Sequence, residues 1–234
     1  MTVAVVENKR TGPDDYWKSQ SFARRYVLNN IRGIAENPGA REFSATCFMA
    51  QVQGVQYLAP KVQSILDIGC GHATRAANLK AHFGCRVVAA DYSEPFLEEA
   101  RRISELLPEA HRSEIVQADA YELPFADNEF DVAVCYGLLM SLERPAQTDI
   151  MRVVKYGLVA IEECDRAMAP DQREKWMEVK DKTFPGRIYW HDYLKVFGLW
   201  RQIIYNPLPG PDSWSLGTPP GYARIIVVKE PPDA

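Results

Sequence analysis

Ile65-Leu66-Asp67-Ile68-Gly69-Cys70-Gly71-His72-Ala73-Thr74 is the stretch that decides the fold. An apolar, β-branched run from Val62 to Ile68 enters a tight glycine turn, and a helical pattern over Thr74 to Phe83 begins directly after it. The two glycines permit positive φ and let a ligand approach the backbone, while the N-terminus of the following helix offers free N–H groups. Many Rossmann-like domains carry such a turn, and a purely structural strand–turn–helix reads the same way.

Downstream the alternation continues. Arg86 to Ala90 reads as a buried strand ending at Asp91, and Ser93 and Pro95 mark the start of a helix over Glu94 to Leu107. Glu114 to Ala118, Phe130 to Tyr136 and Gly157 to Ile161 read as further strands, with a helix expected from Ala146 to Lys155. Strands separated by helices imply βαβ units, right-handed crossovers and a parallel sheet. The end of the chain differs: a helix over Asp192 to Leu199, then strands Arg201 to Tyr205 and Tyr222 to Lys229 linked through a Pro/Gly-rich turn. That pattern predicts an antiparallel hairpin at one sheet edge.

Upstream of the turn, residues 1–13 read as a mobile tail. Helix is expected from Asp14, with Gly33 and Pro38-Gly39 as interruptions, then from Arg41 to Leu58. The expected organisation is an N-terminal helical lid over 14–60 and a ligand-binding domain over 61–234.

The 234 residues are 47% hydrophobic and 25% charged with a formal net charge of −4, the balance of an ordinary globular protein. The acidic balance argues against nucleic acid as a partner, which would require a basic face. The five cysteines form no C-x-x-C pair, so neither a zinc site nor another metal site is expected, and their odd number suits reduced thiols. No secretory leader and no uncharged run of spanning length is read, so the chain is expected to be cytoplasmic, away from membranes, and a monomer or homodimer.

Asp91 ends the second strand 20 residues after Gly71. In a doubly wound sheet the carboxyl ends of adjacent strands line one crevice, where a carboxylate can accept both ribose hydroxyls; in isolation Asp91 would read as a helix cap. A nicotinamide site and an adenosylmethionine site share these features. Three others differ. Thr74 stands where G-x-G-x-x-G has its third glycine. Asp67 lies inside the strand near the amides of the turn, where an acid suits an ammonium-bearing ligand better than a pyrophosphate. The third is the run Gln117-Ala118-Asp119-Ala120-Tyr121-Glu122-Leu123-Pro124-Phe125 through Asp127, Asn128, Glu129, Phe130, Asp131 and Val132.

Taken in order, LDIGCG, Asp91 and ADAYELPFADNEFDVAV resemble class I S-adenosylmethionine-dependent methyltransferases, in particular their small-molecule branch. The likeness is close from Val62 to Val134 and looser to the C-terminus. It implies a Rossmann-like α/β fold, a doubly wound seven-stranded, mostly parallel sheet of order 3-2-1-4-5-7-6 with the last strand antiparallel. It also implies S-adenosyl-L-methionine as cofactor and S-adenosyl-L-homocysteine as product. By the same resemblance Gly69, Cys70 and Gly71 border the methionine portion and Asp91 holds the ribose. Tyr92 packs beside the adenine, Asp119 and Ala120 meet its edge, and Tyr136 lies at the reacting face. Segments ahead of the sheet close over the cofactor in similar enzymes, which nominates Tyr16, Arg25 and Tyr26, Arg25 for the methionine carboxylate. Where the family has Pro-Gly-Gly before strand five, this chain has Val154-Lys155-Tyr156-Gly157, so the acceptor pocket lies beyond the resemblance.

In-line methyl transfer draws mainly on positioning, and a hydroxyl or amine acceptor must also lose a proton. His191, ahead of the late helix on the cofactor side, is the expected base or acceptor-orienting group, with a helix-capping role as the structural alternative. Glu162 and Glu163 after strand five read as solvated surface carboxylates, with one of them projecting into the pocket toward a cationic acceptor as the alternative. The chain lacks an Asp/Asn-Pro-Pro-Tyr motif after strand four and any Pro-Cys pair, which disfavours base-amino and cytosine-C5 methylation. The expected activity is methyl transfer to O or N of a small organic acceptor. A cyclase-like adenosylmethionine-binding catalyst, an NAD-dependent oxidoreductase and a non-enzymatic binding module are the competing readings.

Overall fold

The computed structural model describes residues 17–163, 191–200, 202–208 and 221–229. The expected tail over 1–13, Tyr16, Cys164 and the 187–190 segment lie outside them. Two helices precede the sheet, α1 (Gln20–Glu36) and α2 (Pro38–Leu58). Ser19 caps α1 at Gln20, its Oγ accepting the Phe22 amide at 3.4 Å; the expected helix start at Asp14 lies outside the described residues. Gly33 sits within α1 and does not break it. Asn37 does, because it precedes Pro38 in extended conformation, and its Oδ1 accepts the Ala40 amide at 3.3 Å to cap α2.

The βαβ alternation follows: β1 (Ser64–Ile68), α3 (Thr74–Phe83), β2 (Arg86–Asp91), α4 (Glu94–Glu105), β3 (Glu114–Gln117), β4 (Phe130–Tyr136), α5 (Ile150–Val153), β5 (Val154–Glu163), α6 (Tyr193–Val196), β6 (Gln202–Leu208) and β7 (Tyr222–Val228). They form one seven-stranded sheet of order β3-β2-β1-β4-β5-β7-β6. Strands β1 to β5 pair in parallel, and β7 runs antiparallel to both β5 and β6. The expected architecture and strand order are observed.

The helix expected over Ala146 to Lys155 is not. A 3₁₀ turn at Pro145–Gln147 and the single turn of α5 are all the helix that forms there, and β5 begins at Val154. Val154 pairs with Phe130, so sheet hydrogen bonding claims the β-branched Val153-Val154 end of the run. Gly157 explains how β5 accommodates β7: a Cβ there would meet the Val227 carbonyl oxygen at 2.0 Å, so only glycine fits the crossing.

Period-two alternation places the core on both sheet faces. Ile65, Val87, Val132, Val134 and Val159 face α2 and α3 through Val52, Val55, Leu58, Ala76 and Leu79. Leu66, Ile68, Val88, Ala133 and Leu158 face the segments carrying Leu123, Leu139, Ile150 and Tyr193. Both faces are covered, which leaves the carboxyl ends of the parallel strands as the open edge where ligands bind in such sheets. Among the described residues no helix is long and apolar enough to cross a membrane, and no cluster of three metal-ligating side chains occurs.

Candidate active site

Gly69 and Gly71 leave β1 with φ of +69° and +53°. A Cβ on Gly69 would lie 2.8 Å from Leu138 Cδ1, so the bare backbone lets the turn approach the loop after β4. The Gly69 and Cys70 amides both donate to the Ala90 carbonyl, at 2.8 and 3.1 Å. Asp91 completes the clamp: Oδ2 accepts the Gly71 amide at 2.8 Å and Oδ1 the Ser93 amide at 2.9 Å. One carboxylate thus ties the first βα turn to the start of the second helix. Burial pushes the Asp91 carboxyl above its ordinary range, with the amide donors of Ser93 and Gly71 opposing.

Two chambers adjoin at this turn. The first, about 190 Å³, lies along Gly69, Gly71, Asp91, Tyr92, Ala118 and Ala120, with Leu138, Ser141 and Leu142 on its far wall. Trp17, Tyr26 and Phe96 line it as well, with ring centroids 5.5 to 6.4 Å apart, Tyr26 edge-on to both Trp17 and Phe96 and the Trp17–Phe96 pair tilted. The Ser93 hydroxyl donates to the Trp17 carbonyl and fastens that segment to the end of β2. The second chamber, about 400 Å³, lies between the turn and the first two helices. Asn29, Asn30 and Ser44 face Asp67, Cys70, His72 and Arg75 across it. Tyr26, Gly69, Gly71 and Tyr136 line both chambers.

Asp67 is the electrostatic centre of the second chamber. Its side chain is 2% exposed, and Oδ2 has no hydrogen-bond partner among the described residues. Burial pushes its carboxyl up to about 7; Arg75 pulls it down and Asp91 adds to the rise. A raised folded pKa means that the stability linked to this group is fully present at acid pH and is lost as pH rises through about 7. A cation placed against Oδ2 removes that penalty. Arg75 supplies the opposite sign. It stands in the first turn of α3, its guanidinium carbon 4.2 Å from the Tyr136 ring centroid and Nη1 3.1 Å from Gln51 Oε1. A chamber holding an orphaned acid and an arginine within its walls is matched to a zwitterion.

A family model described as a methyltransferase domain matches residues 65–158. The demethylmenaquinone methyltransferase of Lactiplantibacillus plantarum is 31% identical over 175 residues, covering 71% of this chain and 69% of that protein. The chain belongs to the class I S-adenosylmethionine-dependent methyltransferase family. A second demethylmenaquinone methyltransferase, from Clavibacter sepedonicus, is 43% identical over 97 residues, 41% of this chain and 38% of that protein. The chain therefore spans between 38% and 69% of the length of these two relatives. The fold also matches the crystal structure of magnesium protoporphyrin IX methyltransferase from Synechocystis with bound S-adenosylhomocysteine. The TM-score is 0.62 at 16% identity, covering 92% of this chain and 97% of that one.

S-adenosylmethionine is the cofactor of the family, and the residues present fit it: an unpartnered buried carboxylate oxygen for a cation, an arginine for an anion, and a turn stripped of Cβ atoms between them. Of the residues singled out in the sequence, Gly69, Gly71, Asp91, Tyr92, Ala120, Tyr26 and Tyr136 line the first chamber, and Asp67 and Cys70 the second. Asp119 sits between the lining residues Ala118 and Ala120, and its Oδ1 accepts the Tyr121 amide at 3.0 Å. Arg25 is exposed on α1, its guanidinium carbon 6.0 Å from the Phe22 ring, and lines neither chamber. His191 stands behind the far wall, Nε2 2.8 Å from the Leu142 carbonyl oxygen. That contact makes Nε2–H the donor, and burial lowers the ring's pKa.

Glu162 and Glu163 correct the sequence reading outright: neither is solvated, at 0% and 2% exposure. Glu162 Oε1 accepts the Leu138 and Leu139 amides, each at 3.0 Å, and Oε2 accepts the Met140 amide at 3.3 Å. Glu163 Oε1 accepts the Tyr222 hydroxyl at 2.8 Å. Glu162 thereby holds the loop that forms the far wall. Arg75 and Gln51 are the residues the sequence reading missed. A cation in the first turn of a helix opposes the macrodipole, and that misplacement is the signal that would have marked Arg75.

Proposed function

We propose that this chain transfers the methyl group of S-adenosylmethionine to a small, largely apolar organic acceptor admitted where the two chambers meet. The reading is carried by the orphaned oxygen of buried Asp67 across a glycine turn from the Asp91 clamp. Bound there, the sulfonium of the cofactor supplies an electrophilic methyl carbon.

The chain's own residues then have distinct tasks. Asp91, pinned by two amides, has lone pairs left to accept ribose hydroxyls. Tyr92 and the backbone from Ala118 to Ala120 flank the adenine, and Asp67 and Arg75 divide the ammonium and carboxylate of the amino-acid end. Trp17, Tyr26 and Phe96 exclude water from the first chamber. Tyr136 and Leu138 present an apolar face to the acceptor. His191 reaches the site through Leu142 and is assigned to orient that wall and, through it, the acceptor.

Relatives named for demethylmenaquinone and, in Aspergillus sclerotiorum, as the O-methyltransferase resE at 30% identity favour a hydroxylated aromatic acceptor, methylated at oxygen or ring carbon. A phenol whose pKa lies near the working pH needs little help from a base, so positioning dominates the rate. The test is incubation with methyl-deuterated donor and a panel of hydroxylated aromatics, read by mass spectrometry. The expected product carries one labelled methyl group. Donor consumed without any methylated product would replace methyl transfer by cofactor-assisted cyclisation or cleavage.

A further inference from the structure

Gln51 is a polar side chain on α2 that is fully buried, at 0% exposure, against the sheet. Both ends of its carboxamide are engaged: Nε2 donates to the Cys135 carbonyl at 3.0 Å, and Oε1 accepts Arg75 Nη1 at 3.1 Å. The first bond fixes which end of the amide faces Arg75, because a carbonyl can be met only by the NH₂ group. Cys135 directly precedes Tyr136, whose ring carries the Arg75 guanidinium at 4.2 Å. The guanidinium is therefore gripped on its face by the aromatic ring and on one edge by the carboxamide. Its remaining N–H groups stay available to the chamber that Arg75 lines.

Nothing in α3 itself supplies that aim. The first turn of a helix repels a cation, and an untethered arginine side chain has many rotamers. Among the described residues, the element that hydrogen-bonds Arg75 from outside the glycine turn's own strand–helix unit is α2, through Gln51. We propose that Gln51 is a positioning residue that presets Arg75 for the α-carboxylate of the cofactor, and so makes the site discriminate between adenosyl ligands with and without an amino-acid tail. This rests on the assignment of Arg75 to that carboxylate.

The test compares the full chain binding S-adenosylhomocysteine with the same chain binding 5′-methylthioadenosine, which lacks the amino-acid end. In Gln51→Met, which fills the space without an acceptor, homocysteine-ligand affinity is expected to fall roughly tenfold. Methylthioadenosine affinity is expected to stay within about twofold, since that ligand touches neither group. A general loosening of α2 would weaken both ligands alike, and equal losses would overturn the proposal. Arg75→Met is the control on the underlying assignment. If it collapses the preference for the tailed ligand and Gln51→Met does not, the positioning role fails alone; if it leaves the preference intact, the carboxylate assignment fails with it. Should Gln51→Met not fold, Gln51→Ser decides on the same ratio, because it leaves room for a water at the Cys135 carbonyl while losing reach to Arg75.

Discussion

Asp91→Ala is expected to weaken S-adenosylhomocysteine binding by roughly 10- to 100-fold, about 1–3 kcal/mol, through lost charge-assisted hydrogen bonds. Two effects combine. The ribose loses its acceptor, and the glycine turn loses the carboxylate that holds the Gly71 and Ser93 amides at 2.8 and 2.9 Å. Asp91→Asn separates them. The carboxamide keeps the shape and one acceptor, yet it points an NH₂ group at one of the two amides, so its affinity should fall between wild type and Asp91→Ala. Calorimetric titration of both variants, with thermal unfolding to confirm folding, measures the series. Wild-type affinity in a folded Asp91→Ala would remove this carboxylate from the site.

Glu162→Ala is expected to cost about 4 kcal/mol of folding stability, since each buried amide left without an acceptor costs roughly 1–3 kcal/mol and three converge here. They are the amides of Leu138, Leu139 and Met140. Typical domains are stable by only about 5–15 kcal/mol, so the loss is a large share of the total. Glu162→Gln retains an acceptor oxygen and should lose far less. Burial pushes the Glu162 carboxyl up to about 7, with the three amides and the Cys135 thiol opposing. The sign is the same as for Asp67: stability linked to this group is present at acid pH and lost as pH rises through about 7. Of the groups around it, Cys135 on β4 is held as the thiol by burial, and Asp67 on β1 titrates in the same range. The Glu162→Gln protein should therefore lose less stability than wild type between about pH 5 and pH 8, because the contributions of Asp67, Asp91, His72 and His191 are common to both proteins. Denaturant unfolding at the two pH values checks it. Equal stability of Glu162→Ala and wild type would mean that the wall loop does not depend on this carboxylate.

The parts of the molecule legible in the sequence are those punctuated by their own residues. Gly69 and Gly71 end β1, Ser93 and Pro95 open α4, and Phe130 to Tyr136 is a largely apolar run bounded by Glu129 and Gly137, so these elements emerge near their observed limits. Gly33 misled because a single glycine costs a helix only about 1 kcal/mol, and the aromatic packing of Phe22 and Tyr26 on Phe96 holds α1 in place. The 146–155 segment misled because the pairing of Val154 with Phe130 is a long-range demand with no local mark.

The site follows the same division. Asp67 and Asp91 declare themselves by their place at the ends of strands. Glu162 and Glu163 do not, because the groups that satisfy them, the 138–140 amides and the Tyr222 hydroxyl, arrive from about 22 to 59 residues away in the chain. A carboxylate pair after an apolar strand reads as solvated until its partners are placed. Gln51 hides for a related reason: amid Ala50, Val52 and Val55 it looks like an accidental polar residue on a buried helix face.

Calorimetric titration of the full chain with S-adenosylhomocysteine near pH 7, run in two buffers of different ionisation enthalpy, tests the central claim most directly. The expected result is one saturable site per chain with net release of protons, because the ligand's ammonium drives the Asp67 carboxyl, raised to about 7 by burial, to its carboxylate. Absence of any binding heat or thermal shift at saturating ligand, with NAD binding in its place, would contradict the account.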